Sequence, residues 1–337
     1  MKKINTDNIK KIVVIQTAFI GDTALSLFFC NNIKRTFHDA EILFVCTPIS
    51  YDLISNSPII DYCIAFDKRN KQNQKEIFNK LIFEINLFKP DIVFSLHRSF
   101  RTSKLVSKIN AALKVGYKNS VYNLVYDIKC NYYFCNHEIE RNNELLRPFG
   151  FKSENIYKTV EIKGNSELSK LNIKPKSIYI SPGSVWATKQ WLPKYYNELC
   201  IELEKQGYNI IIGGSNSERN LCNEVALNTK AKLIVGEFSL NDIVNIIKMC
   251  DLVICNDSAA THLAGLAGTK CLTIYGATSE IFGFFPVSKG SKIIKNENIK
   301  CSPCAIHGEK KCPLKHFKCM KELFPAKVLE KSIEMLN

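Results

Sequence analysis

The sequence predicts an α/β chain of two parallel-sheet units, on three grounds. Its 337 residues exceed the usual size of one hydrophobic core and suit two domains of roughly 150 residues each. Short β-branched or apolar runs alternate with longer helical patterns, as strands joined by crossover helices require. The alternation lapses over a polar stretch, EIKGNSELSKLNIKPK at 161–176, and then restarts, which marks that stretch as a linker.

The first unit's strands are expected at KIVVIQ (11–16), EILFVC (41–46), DYCIAF (61–66) and DIVFSL (91–96), with helical segments such as ALSLFFCNNIKRTF between them. After the linker, SIYISPG, YNIIIGG, KLIVG, DLVICND and CLTIYGA supply the strands of the second unit. No internal repeat of fixed period is visible.

Composition narrows the function classes. The apolar fraction of 46% is that of a globular protein, and no apolar run approaches the roughly 18 residues a membrane-spanning helix needs. The opening MKKINTDNIKKIVVIQ has an apolar run of only four residues before Gln16, short for a signal-peptide core, so a cytoplasmic protein is expected. Fourteen cysteines lie scattered through strand-like runs and read as mostly buried free thiols rather than a disulfide framework. A formal charge of +14 suits an anionic partner, or simply a lysine-rich solvated surface. There is no recognition module and no basic stripe interleaved with aromatics, so nucleic acid is not expected as that partner.

Ligands of open parallel sheets bind beyond the carboxyl ends of the strands, and five such junctions carry polar residues. In VIQTAFIGDTALSL, Asp22 falls at the start of a helix, where it can act as a cap worth about 1 kcal/mol or as a catalytic carboxylate. In ISPGSVWATKQWLP, Ser181, Gly183 and Ser184 permit close backbone approach to a phosphate, and Lys189 supplies a mobile positive charge. IIIGGSNSERN places Glu218 beyond a glycine turn, suited either to a ribose diol or to the helix dipole. LIVGEFSL offers Phe238, as a base-stacking ring or as core, with Ser239 as a helix cap. In DLVICNDSAATHLAGLAG a buried strand ends at Cys255, Asn256 and Asp257 turn the chain, and a helix begins around Ser258, Ala259 and Ala260 with His262 in its first turn. Its open N–H groups can seat a diphosphate.

The order IGDTALSL, SPGSVWATKQWLP, GGSNSE, NDSAATHLAGLAGTKCLTIYGAT and CSPC resembles the ADP-heptose:lipopolysaccharide heptosyltransferases, glycosyltransferase family 9, from about residue 11 to about 325. The SPGSVWATKQWLP and CSPC segments lean towards its heptosyltransferase II branch. The resemblance implies the GT-B fold: two Rossmann-like domains with parallel sheets facing a central cleft. Residues 1–165 become an acceptor-binding domain, 166–320 a nucleotide-sugar-binding domain, and 321–337 a C-terminal helix packing back on the first domain. It also implies an inverting transfer of heptose from ADP-heptose to the lipopolysaccharide inner core, either Kdo2-lipid A or heptosyl-Kdo2-lipid A, without metal or cofactor.

Carried over position by position, Asp22 matches the general base and Lys189 the lysine that binds the donor phosphates. Ser181, Gly183 and Ser184 match the phosphate-facing loop, and Phe238 an apolar residue beside adenine. Asp257, Ser258, Ala259, Ala260 and His262 fall on the donor-contacting stretch, Ala259 standing where many relatives carry glycine. Glu218 matches the ribose-holding glutamate if the glycine turns are aligned, whereas a gapless alignment from downstream puts Asn216 there. Arg98 and Arg101, in SLHRSFRTSKL, are candidates for acceptor anions, and His97 for an alternative base. An acceptor at the inner membrane surface would account for the positive charge and for peripheral association there. Another nucleotide sugar or acceptor, or a non-catalytic nucleotide-sugar binder, remains an open alternative. Cys301, Cys304, Cys312 and Cys319, interleaved with His307 and His316, suffice in number for tetrahedral zinc, but lack the paired spacing of a zinc ribbon and are expected to be reduced thiols.

Overall fold

The computed structural model describes residues 8–70, 72–152 and 154–337. The chain divides into two compact units between Ile162 and Lys163, inside the polar stretch. In the first, strands β1 (Lys11–Ile15), β2 (Glu41–Cys46), β3 (Tyr62–Ala65), β4 (Ile92–Ser95), β5 (Leu113–Tyr117) and β6 (Ile128–Cys130) pair in the order β3-β2-β1-β4-β5-β6. Helices α1 (Ile20–Thr36), α2 (Tyr51–Ser55), α3 (Gln74–Phe88), α4 (Phe100–Lys108) and α5 (Glu138–Asn143) accompany them. Every strand pair is parallel, with Ile12 facing Ile42 on one side and Ile92 on the other. Val13, Ile15, Val45, Val93, Leu105 and Ile85 make one core on a face of this sheet.

The second unit repeats the plan. Strands β7 (Ser177–Ser181), β8 (Asn209–Gly214), β9 (Lys232–Val235), β10 (Leu252–Asn256), β11 (Cys271–Ile274) and β12 (Lys292–Ile294) pair in parallel in the order β12-β11-β10-β7-β8-β9. Its helices are α6 (Pro193–Lys205), α7 (Arg219–Val225), α8 (Leu240–Lys248), α9 (Ala259–Ala267), α10 (Lys318–Lys321) and α11 (Pro325–Leu336). Strand β10 is buried along its whole length because helices cover both faces of a parallel sheet, which is why it reads as an unbroken apolar run. These are two Rossmann-like units, the elements of the GT-B fold.

Strands β5, β6 and β12 go beyond the sequence reading. LKVGY mixes a lysine and a glycine into its alternation, and the other two are only three residues long. The C-terminal helix α11 contributes to the second unit's own core: Val328 and Met335 join Tyr196, Leu199 and Leu203 there, and Lys270 Nζ donates to Met335 O at 2.7 Å. An apolar stripe on a terminal helix fixes that it must be covered, not by what.

Candidate active site

In each sheet the strand order reverses, between β1 and β4 and between β7 and β10, and the loops leaving such a pair diverge to open a crevice at their carboxyl ends. Most of the expected donor-site residues leave from β7 and β10. Ser181 ends β7, followed by Gly183 and the half-buried Ser184, whose Oγ accepts from Trp186 N at 3.3 Å. Asp257 follows β10, and Ser258 precedes α9 without making a side-chain cap, so the first N–H groups of that helix, at Ala259 and Ala260, have no side-chain acceptor of that kind. Lys189 Nζ lies 2.6 Å from Asp257 Oδ2 in a largely buried ion pair. Thr278 Oγ1, from the segment after β11, donates to the same oxygen at 2.6 Å.

The side chain that holds these loops together is Asn256, which sequence reasoning treated only as part of a turn. Fully buried at the end of β10, it donates through Nδ2 to Pro182 O at 2.8 Å and Gly183 O at 3.3 Å. Its Oδ1 accepts from Trp191 N at 3.0 Å and Tyr196 OH at 3.1 Å. The amide thus fastens the phosphate-type loop and the start of α6 to β10. Asn256→Ala strips these partners in a dry site, where each unpaired polar group costs about 1–3 kcal/mol, and a loss of about 2–5 kcal/mol in urea unfolding is expected.

Glu218 caps its own turn, Oε2 accepting from Ser215 N and Ser215 Oγ at 2.7 Å each. Its other oxygen lies against Gly183, where an added Cβ would sit 1.8 Å from it. A Cβ at 183 would displace the Glu218 carboxylate, so glycine there lets that carboxylate reach the loop. Asn216 lies instead against Gly236, whose φ of +68° suits a residue without Cβ. Glu218 is therefore brought to the phosphate-type loop, and Asn216 to the end of β9. Phe238 is half-buried just beyond that strand end, and Ser239 caps α8 by accepting from Asp242 N.

His262 is buried, not a surface residue, and sits 6.1 Å from the Phe284 ring. Burial, with the nearby Lys189 charge, pushes its pKa down to about 3. Burial also lowers His97 in the first unit to about 4, assisted by Lys68 and Arg98. A histidine held neutral when folded but free to protonate when unfolded binds fewer protons in the native state. Its stabilising share is complete above the ordinary value of 6.5 and is lost as pH falls towards the folded values. Stability should therefore decline between about pH 6.5 and pH 4, with a slope of up to about 1.4 kcal/mol per pH unit from each histidine. Denaturant titrations of His262→Gln and His97→Gln should each show a flatter profile than the parent.

The cysteine-bearing segment after β12 buttresses this site. Glu309 N donates to Thr188 Oγ1 at 2.7 Å, and Thr188 N returns a bond to Glu309 O at 3.1 Å, next to Lys189. Gly308, at φ +85°, leaves room where a Cβ would sit 2.8 Å from Trp186 Cβ and 3.0 Å from Lys189 Cγ. Cys304 N and Ala305 N both donate to Ala277 O, beside Thr278. All fourteen cysteines are free. Cys301 Sγ lies 3.8 Å from His316 Nε2, but among the described residues no three histidine, cysteine or acidic side chains are grouped to hold a metal ion.

In the first unit Asp22 stands in the first turn of α1, where Oδ2 accepts from Phe19 N at 3.2 Å. His97 follows β4, its Nδ1 3.1 Å from Thr102 Oγ1 and 3.3 Å from Thr17 Oγ1. Lys68, in the polar run after β3, donates to Thr17 O. Burial, Arg101 and Arg69 lower its pKa, and Asp22 partly opposes them. Arg101 donates to Lys68 O at 3.2 Å, so it belongs to the surroundings of Asp22. Arg98 instead lies over the Tyr132 ring at 3.7 Å.

A model of the family described as Glycosyltransferase family 9 (heptosyltransferase) matches residues 82–317, well over half the chain. Lipooligosaccharide heptosyltransferase 2 of Campylobacter jejuni subsp. jejuni is 24% identical, over 97% of this chain and 98% of that protein. Among solved structures, a glycosyl transferase family 9 protein from Veillonella parvula superposes with a TM-score of 0.85 at 21% identity, covering 99% of each chain. The ADP-heptose lps heptosyltransferase II of E. coli does so with a TM-score of 0.77 at 18% identity, covering 97% of this chain and 98% of that one. At these identities the superpositions speak for the two-unit fold.

Proposed function

Since the chain belongs to glycosyltransferase family 9 (heptosyltransferase), we propose that it transfers heptose from ADP-heptose to the lipopolysaccharide inner core, with inversion at the anomeric carbon. The observation that carries the reading is the Lys189–Asp257–Thr278 array, 2.6 Å across each contact, beside the α9 N-terminus at the β7–β10 reversal. A diphosphate seated there meets a lysine charge, the partial positive charge of a helix end and the hydroxyls of Ser181 and Ser184.

In the reaction an acceptor hydroxyl oxygen bonds to the anomeric carbon as the bond from that carbon to the phosphate oxygen breaks, and ADP leaves with the electron pair. Positive charge grows on the sugar and negative charge on the phosphate, so fixed donors aimed at the phosphate lower the barrier. Lys189 is held by Asp257 until the diphosphate competes for it, and Thr278 keeps Asp257 oriented during the exchange. The acceptor proton passes to the Asp22 carboxylate. Glu218 is assigned to the ribose, Phe238 to the adenine, and Arg98 and Arg101 to acceptor anions. The CSPC and SPGSVWATKQWLP segments favour an acceptor that already carries one heptose.

The test is mass-spectrometric transfer from ADP-heptose to Kdo2-lipid A and heptosyl-Kdo2-lipid A in parallel, with EDTA present. A heptose gain on heptosyl-Kdo2-lipid A is expected. Gain only on Kdo2-lipid A would reassign the acceptor, and no gain on either would remove the sugar and acceptor from this reading.

A further inference from the structure

The first unit carries an apolar surface that its own fold does not cover. Beyond the carboxyl ends of β4, β5 and β6, Phe100 is 55% exposed, Val121 72%, Leu124 78% and Phe134 60%. Contacts join Phe100, Val121 and Phe134 into one surface, and Leu124 follows Asn123, whose Nδ2 donates to Lys118 O. The Phe100 and Tyr122 rings lie 6.0 Å apart, Val121 N donates to Arg98 O at 3.1 Å, and the Arg98 guanidinium spans the Tyr132 and Phe134 rings at 3.7 and 5.6 Å. Phe83 and Leu87 on α3 are equally exposed, but there Lys80 is balanced by Glu84 at 3.9 Å.

Charge sets this surface apart. Of the seven lysines and arginines in residues 97–136, Lys108 and Lys114 lie at the amino end of the sheet with the one acidic side chain, Asp127, which accepts from Lys114 N at 2.8 Å, and the other five have no acidic residue of this segment beside them. Arg101, Lys104, Lys118 and Lys129 are exposed. Lysine is depleted from protein–protein interfaces, whereas basic side chains around exposed aromatic and aliphatic ones suit the headgroup boundary of a membrane.

We propose that this surface docks on an anionic lipid bilayer, its apolar side chains entering the interface and its lysines and arginines meeting lipid phosphates. The purpose rests on the transferase reading, because a lipid-borne hydroxyl has to reach Asp22. Arg101, at the basic end of the surface, bonds Lys68 O, and Lys68 bonds Thr17 O in the turn before α1.

The test is flotation of the full chain with vesicles of phosphatidylcholine, alone or mixed with phosphatidylglycerol. Partitioning onto the mixed vesicles should exceed that onto phosphatidylcholine by about tenfold or more and weaken with salt. Val121→Ser/Leu124→Ser should reduce it about tenfold, and Lys118→Gln/Lys129→Gln about 30-fold at low salt. Both variants alter exposed side chains, so thermal unfolding and transfer to a soluble, deacylated acceptor should be unchanged. Equal partitioning on the two vesicles, or indifference to Val121→Ser/Leu124→Ser, would overturn the proposal. So would loss of a sedimenting dimer in that variant with vesicle binding intact, which would make the surface a contact between two copies. Failure of the transferase reading looks different: vesicle binding with these dependences survives, and no acceptor gains mass.

Discussion

Asp22→Asn should slow heptose transfer by about 10²–10⁴-fold, the usual contribution of a positioned general base, while donor affinity changes by no more than about twofold. The substitution separates two roles that the same carboxylate fills. As the third residue of α1, Asp22 accepts from Phe19 N, and an asparagine oxygen can take that bond at a cost below about 1 kcal/mol. Asparagine cannot take a proton from an attacking hydroxyl. A variant that unfolds like the parent, binds ADP-heptose and fails to transfer therefore isolates the base. Full transfer by Asp22→Asn would move the role elsewhere. His97 is the next basic group at that strand reversal, neutral well below pH 7 but with Nδ1 already among three hydroxyls.

Much of this was legible because buried parallel strands need unbroken apolar runs, and the polar residues that interrupt them mark the carboxyl ends. SIYIS and LVICN announced β7 and β10, and hence Ser181 and Asp257. Asn256 was not legible: an asparagine after an apolar run reads as a turn former, and nothing in the one-dimensional pattern says that its amide reaches Pro182, Trp191 and Tyr196. Lys68 was hidden likewise among charged neighbours in DKRNKQN. The basic aromatic surface escaped notice because its parts lie near residues 98–104, 118–124 and 129–134 and become adjacent only when β4, β5 and β6 align.

Lys189→Ala is the second large expected effect, and it acts on two quantities at once. Transfer efficiency should fall by about 10²–10³-fold, the loss typical of removing one preorganised group that stabilises developing negative charge. Stability should fall by about 3 kcal/mol, because Asp257 is left as a buried carboxylate with Thr278 as its remaining side-chain donor. Taken alone, a slow and fragile variant proves little, since a distorted loop would look the same. Adding Asp257→Asn removes the unpaired charge, so the double variant should regain most of the lost stability, with Asp257→Asn alone setting the baseline. Its transfer rate should stay low, because an asparagine beside Thr278 supplies no cation to the departing diphosphate. If transfer instead returned together with stability, the lysine would be a counter-ion for Asp257, and the charge that stabilises the leaving group would have to come from the α9 terminus alone.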